Sequence, residues 1–78
     1  MKQVRNAAVV GAGTMGHGIA YVLAEAGIWV SLIDHHAGAL DKGLAKIERL
    51  LESNVLKQQI LIEDAHEIRS RITASSDL

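Results

Sequence analysis

Residues 6–27, NAAVVGAGTMGHGIAYVLAEAG, place three glycines, Gly11, Gly13 and Gly16, in GxGxxG spacing inside a run that carries no formally charged side chain from Ala7 to Ala24. Lys2 and Arg5 stand just before the run. Three kinds of chain fit such a start. A secretory signal has basic residues, an apolar stretch and a small-residue cleavage site, which AEA at 24–26 loosely resembles. A membrane-spanning helix needs about 20 predominantly apolar residues. Both readings are weakened by the polar or helix-weakening interruptions at Gly11, Gly13, Thr14, Gly16, His17 and Gly18. The third reading is a nucleotide-binding turn between a strand and a helix, and the hydrophobic periodicity decides in its favour.

Val4 to Val10 has a β-branched, apolar centre bounded by glycine, the pattern of a short buried strand. From Thr14 the period changes: Met15, Ile19, Val22, Leu23 and Ala26 recur at helical spacing, and Gly27 stands where a left-handed residue ends a helix. Ile28 to Ile33 is again strand-like and finishes at Asp34. Strand, helix and strand in about thirty residues make a βαβ unit, whose crossover sets the two strands parallel. After the loop HHAG, the apolar positions Leu40, Leu44, Ile47, Leu51, Val55 and Leu56 alternate with Lys42, Lys46, Arg49, Glu52 and Ser53, which predicts an amphipathic helix over about 37–58. IEDAHEIRSR reads as a shorter helix, acidic at its start and basic at its end, the order that suits the helix dipole. ITAS then begins a third strand.

Each glycine of the motif has a separate physical reason. Gly11 permits the tight turn out of the strand, Gly13 lets backbone approach a pyrophosphate, and Gly16 lets helix and strand pack closely. The unpaired N–H groups and positive dipole end of the helix favour a phosphate. GxGxxG alone is a weak signal; here it follows a predicted strand, opens a predicted helix, and is answered by Asp34, eighteen residues beyond Gly16, at the end of the next strand. Asp34 is placed to accept hydrogen bonds from adenosine ribose hydroxyls and to repel a 2′-phosphate. This favours NAD over NADP, although protonated His35 and His36 would soften that repulsion. FAD remains an alternative, because many flavoproteins use a similar turn, and a plain strand-end turn is the structural alternative for Asp34.

Composition removes several other classes. With 8 Lys and Arg against 9 Asp and Glu, the net charge is −1, and both signs are mixed in the second half, so no basic patch points to nucleic acid. The aromatic residues are Tyr21 and Trp29 alone, too few for base-stacking platforms, and Trp29 reads as strand packing rather than adenine stacking. The absence of cysteine excludes disulfides, thiolate zinc sites and thiol nucleophiles, and fits a reducing, cytoplasmic setting. No metal site is expected. The 78 residues make one small domain at most, burying only about 60% of the unfolded surface.

VVGAGTMGHGIA followed by VSLID resembles the N-terminal NAD-binding region of the 3-hydroxyacyl-CoA dehydrogenases, including the 3-hydroxybutyryl-CoA dehydrogenases. LDKGLAKIERLL, VLK at 55–57 and the closing RITASSDL extend the resemblance over almost the whole chain. It implies an α/β fold, the first half of a Rossmann dinucleotide-binding domain with parallel β-α-β-α-α-β order, so that residues 1–78 form a partial NAD-binding domain. It carries NAD binding onto Gly11, Ala12, Gly13, Thr14, Met15, Gly16 and Asp34. The family's acyl-CoA contact from the long helix transfers to Lys57; its serine seven residues earlier falls on Leu50, and its glycine after the lysine is Gln58 here.

The resemblance further implies hydride transfer from a 3-hydroxyacyl-CoA to NAD. The family's catalytic histidine and glutamate lie downstream of the matched region, and His17, His35, His36 and His66 do not correspond to that pair. No catalytic residue is therefore expected in this chain, which reads as an inactive portion of a longer enzyme. His17 is expected in a structural or solvent-facing role, and His66 on the surface. In the expected strand order 3-2-1-4-5-6 the first strand would lack its fourth-strand neighbour. An open edge is a template for association, so a self-associating half-domain or homo-oligomer is expected. The alternatives are a stand-alone ADP- or NAD-binding module and a purely structural association unit.

Overall fold

The computed structural model describes residues 5–76. Its elements are β1 (Asn6–Val10), α1 (Thr14–Glu25), β2 (Trp29–Ile33), α2 (Ala37–Leu56), α3 (Ile62–Ser70) and β3 (Ile72–Ser75). The three strands form one parallel sheet in the order β1-β2-β3. This is the predicted β-α-β-α-α-β half of a Rossmann fold. Val4 lies outside the described residues; the ladder is extended from Arg5, whose carbonyl accepts the Trp29 N–H at 2.8 Å.

Both crossovers step across the sheet in the same direction. With the right-handedness that such connections nearly always have, all three helices fall on one face. Strand alternation shows the result. Val30, Leu32 and Ile72 point to the helices and are buried, while Asn6, Ala8, Val10, Trp29, Ser31 and Thr73 are exposed. The core lies between sheet and helices, with Ala20, Tyr21 and Ala24 from α1, Leu40, Ile47 and Leu51 from α2, and Ile68 from α3. The molecule is consequently a slab of 36 × 36 × 17 Å, and no helix among the described residues covers the other face of the sheet.

Three details depart from the sequence reading. Met15, Ile19 and Val22, read as recurring at helical spacing, do not form the packed face of α1: Met15 is 77% and Val22 62% exposed. The helix lies close to the strands, and small residues, Ala20 and Ala24, occupy the inner face. Trp29 is 54% exposed on that other face of the sheet rather than packed. Leu56, expected in the α2 stripe, is 77% exposed, because the helix ends there. Gly27, at φ 92°, ends α1 in the left-handed region as expected. Arg71 completes that end by donating from Nη1 to the Ala24 carbonyl at 2.9 Å. The α1 and α2 helices are tied by Asn54 Nδ2 donating to the Tyr21 hydroxyl at 2.7 Å.

The turn after α2 places Gln58 at φ 60°, the one non-glycine residue with positive φ among the described residues. A side chain there costs about 1–2 kcal/mol relative to right-handed backbone. Gln58→Gly is expected to stabilise the chain by about 1 kcal/mol, raising Tm by about 4–8 °C for a domain of this size. Thermal denaturation followed by circular dichroism checks it, and an unchanged Tm would mean that the turn relaxes at no cost.

Candidate functional site

The loop between β1 and α1 is fixed from three directions. The Gly11 N–H donates to the Ile33 carbonyl at 2.7 Å, tying the turn to the end of β2. Gly11 has φ 96°, a conformation that requires glycine in practice. Gly16, on the first turn of α1, lies against Gly11, and a Cβ at position 16 would overlap the Gly11 carbonyl. Gly13 is the N-cap residue of α1, with no side-chain cap and no acidic residue in the first turn. A Cβ added at Gly13 would meet nothing within 4 Å. The fold itself therefore makes no steric use of that glycine, whereas Gly11 and Gly16 are required by the chain's own backbone.

Asp34 closes the arrangement. Its Oδ2 accepts the Ala12 N–H at 3.0 Å and its Oδ1 accepts the His36 N–H at 2.8 Å. The Ala12 N–H, followed by that of His36, holds the carboxyl below the usual aspartate range, so it is a carboxylate at neutral pH. Each carboxylate oxygen has a second lone pair, so acceptor capacity remains for a sugar hydroxyl. The Asp34 backbone N–H donates to the Ser75 carbonyl of the third strand at 3.1 Å, which anchors the residue at the strand ends. His35 and His36 follow at once, their ring centroids 4.2 Å apart.

Two contributors were not legible from the motif. His17 Nδ1–H donates to the Gly13 carbonyl at 2.9 Å, on top of the helical bond from its backbone N–H to the same oxygen at 3.2 Å. Gly43, in the middle of α2, lets that helix approach the turn: a Cβ there would come within 2.8 Å of the Ala12 carbonyl oxygen and 3.2 Å of the Ala12 Cβ. An isolated glycine inside a helical pattern is the available signal for such an approach.

Gly11, Ala12, Gly13, Thr14, Met15, Gly16 and Asp34 are thus brought together at the carboxyl ends of the strands, the end at which open α/β sheets bind ligands. Lys57 is not among them. It is the C-cap of α2, fourteen residues and roughly 21 Å of helix beyond Gly43. The backbone amides at the start of α1, the space beside Gly13 and the anchored carboxylate fit the diphosphate and ribose of a dinucleotide. No histidine ring lies within ion-pair distance of a carboxylate among the described residues, and His66 is exposed on α3.

A family model described as 3-hydroxyacyl-CoA dehydrogenase, NAD binding domain, matches residues 6–78. The chain belongs to this family. It is 40% identical over 75 residues to a 3-hydroxybutyryl-CoA dehydrogenase of Bradyrhizobium diazoefficiens, covering 96% of this chain and 26% of that protein. Among solved structures it is similar to the 3-hydroxybutyryl-CoA dehydrogenase of Escherichia coli K12, with a TM-score of 0.94 and 35% identity over 99% of this chain and 16% of the other. The (S)-3-hydroxybutyryl-CoA dehydrogenase of Ralstonia eutropha gives a TM-score of 0.91 and 33% identity over 96% and 26% of the two chains. The chain spans about a quarter of the length of the curated relative it matches. Among the described residues, no helix is long and apolar enough to cross a membrane.

Proposed function

We propose that this chain is the cofactor-binding portion of an oxidoreductase that moves hydride from a 3-hydroxyacyl-CoA to NAD. The observation that carries the reading is Gly13: a glycine that no internal contact requires, standing at the bare N-terminus of α1 beside an anchored carboxylate. The amides from Gly13 to Gly16 hold the diphosphate, those of Gly11 and Ala12 being committed to Ile33 and Asp34, and Asp34 accepts the ribose hydroxyls and disfavours a 2′-phosphate. NAD, when bound, supplies the hydride acceptor. Lys57 is proposed as a contact for the coenzyme A end of the substrate, from a helix end whose carbonyls also suit a cation. The proton-abstracting residues of the reaction lie outside this chain, which is inactive alone, and the setting is cytoplasmic.

Calorimetric titration of the chain with ADP-ribose tests the reading. Saturable heat, with weaker binding of the 2′-phosphorylated analogue, is the expected result. Absence of heat at millimolar ligand would leave a structural unit instead, and NADH formation from NAD and 3-hydroxybutyryl-CoA by the bare chain would overturn the inactive assignment.

Among the described residues no strand pairs with the outer edge of β1, and this edge and the exposed Met15, Ile19 and Val22 support a partner as well. Unpaired strand groups beside apolar side chains favour association, so the isolated chain is proposed to self-associate. Sedimentation of the titration sample as a concentration-independent monomer would remove that part.

A further inference from the structure

Asp34 ends the second strand and is followed at once by two exposed imidazoles, His35 and His36. The backbone sets their position. The His36 N–H is fastened to Asp34 Oδ1 at 2.8 Å while Asp34 Oδ2 is held by the Ala12 N–H at 3.0 Å, so the carboxylate is fixed beside the residue that carries the second ring. The two ring centroids lie 4.2 Å apart, with an angle of 44° between the planes. A ribose held by Asp34 brings its 2′ substituent to this carboxylate, and the next side chains along the loop are the two imidazoles.

Imidazole is the side chain that ordinarily gains its charge between about pH 8 and pH 5. With neutral rings, a 2′-phosphate meets the carboxylate and is repelled. With charged rings it meets two cationic donors, and its own charge offsets the mutual repulsion of two cations in contact. Charge on the rings reaches Asp34: the Ala12 and His36 N–H groups hold its carboxyl below the usual aspartate range most strongly, and the His36 and His35 imidazoles act in the same direction. The neighbouring segments add little net charge. The loop 11–13 carries none, α1 brings His17 on its first turn with Nδ1–H committed to the Gly13 carbonyl, and Ser75 and Ser76 at the described end of β3 are uncharged. The second turn of α2 carries Asp41 and Lys42, of opposite sign, and the positive dipole end of α2 lies at its N-cap, His36.

We propose that His35 and His36 form a conditional subsite for the 2′-phosphate of an adenine dinucleotide, closed while the imidazoles are neutral and open when they are charged. The preference of this chain for the unphosphorylated cofactor therefore narrows on acidification. The proposal rests on the dinucleotide reading above and adds to it a cofactor range that depends on pH. Asp34 takes no part in the switch, because its depressed carboxyl stays ionised at both pH values of the test.

The probes are ADP-ribose and 2′-phospho-ADP-ribose, titrated calorimetrically at about pH 8 and about pH 6 into the wild-type chain and into a His35→Gln/His36→Gln variant. Both positions are exposed, the bond from residue 36 to Asp34 is a backbone bond that glutamine retains, and circular dichroism verifies the fold. The ratio of the phosphorylated to the plain dissociation constant is expected to fall about tenfold on acidification in the wild type and by no more than about threefold in the variant. The remainder in the variant comes from the phosphate itself, which gains a proton near about pH 6. A His35→Lys/His36→Lys variant, charged at both pH values, is expected to hold the low ratio throughout, and ADP-ribose affinity is expected to stay within about twofold in the glutamine variant. The same fall in wild type and glutamine variant, or a lysine variant whose ratio is no lower than that of the glutamine variant, would overturn the subsite. A loss of ADP-ribose affinity in the glutamine variant equal to that of the phosphorylated probe would overturn its assignment to the 2′-phosphate, because the rings would then serve the part common to both ligands. Binding of neither probe by wild type would remove the dinucleotide reading and the subsite with it, whereas ADP-ribose binding with a ratio indifferent to pH would remove the subsite alone.

Discussion

Gly16→Ala is expected to destabilise the chain by about 3 kcal/mol, the upper end of the usual overpacking cost, and to weaken ADP-ribose binding with it. The reason is that the added methyl group meets the Gly11 carbonyl, a backbone group that cannot rotate aside. To relieve the overlap, α1 must move away from the end of β1, and the Gly11 bond to Ile33 must stretch. A domain of this size has on the order of 4–12 kcal/mol in total, so the loss is a large fraction of it. Gly13→Ala makes the opposite separation. Its methyl group meets no protein atom and its φ of −67° is one that alanine adopts. Stability should fall by about 1 kcal/mol or less, the difference between glycine and alanine at an N-cap. ADP-ribose affinity should nevertheless drop at least tenfold, because the methyl group stands where the diphosphate must approach. Urea denaturation and calorimetry on the two variants check both halves. Equal destabilisation by both, or undiminished binding by Gly13→Ala, would mean that the two glycines do not divide the work in this way.

Asp34→Ala is expected to lower both ligand affinity and stability, with a pH signature. Loss of a carboxylate acceptor for a ribose hydroxyl is worth roughly ten- to hundredfold in ADP-ribose affinity. The stability effect has a separate origin, since the carboxylate also receives the Ala12 and His36 N–H groups. These bonds favour the charged form and depress the folded-state pKa, the Ala12 bond most. A depressed carboxyl contributes stability that is present above its unfolded pKa of about 3.9 and is lost as pH falls through the lower folded value. The wild-type urea midpoint should therefore decline on acidification below about pH 5. The Asp34→Ala midpoint should start lower at neutral pH and decline less steeply. Parallel midpoint curves for the two proteins would show that the carboxylate does not hold the turn.

Much of this was legible in the sequence because local chemistry is consistent there. The β-branched run before Gly11, the glycine spacing, Gly27 and the α2 stripe each specify geometry within a few residues. The inner face of α1 was not legible. Its residues are apolar on more than one side, so periodicity offers several faces. The selection is made by distance: α1 lies so near the strands at Gly16 that Ala20 and Ala24 fit inside while the larger Met15 and Val22 are turned out. Trp29 was misread for a related reason. A strand between two others looks buried on both faces, but the direction of the crossovers leaves one face without a helix among the described residues. The roles of Gly43 and His17 depend on how α2 crosses the turn, a long-range contact that no local pattern encodes. The departures from the family at Leu50 and Gln58 were visible as letters, but the exposed leucine and the left-handed turn they create are properties of the folded chain.

Ala12 has little chemistry of its own, yet its peptide is clasped at both ends. The nitrogen is held by Asp34 at the tip of β2, and the carbonyl faces α2 across the gap that Gly43 leaves open. A methyl group at position 43 would thus reach the cofactor cradle without touching any residue of the GxGxxG signature. The minimal recognition unit of this fold is longer than its motif: it includes a glycine thirty-two positions beyond Gly11, invisible to any pattern search confined to the loop.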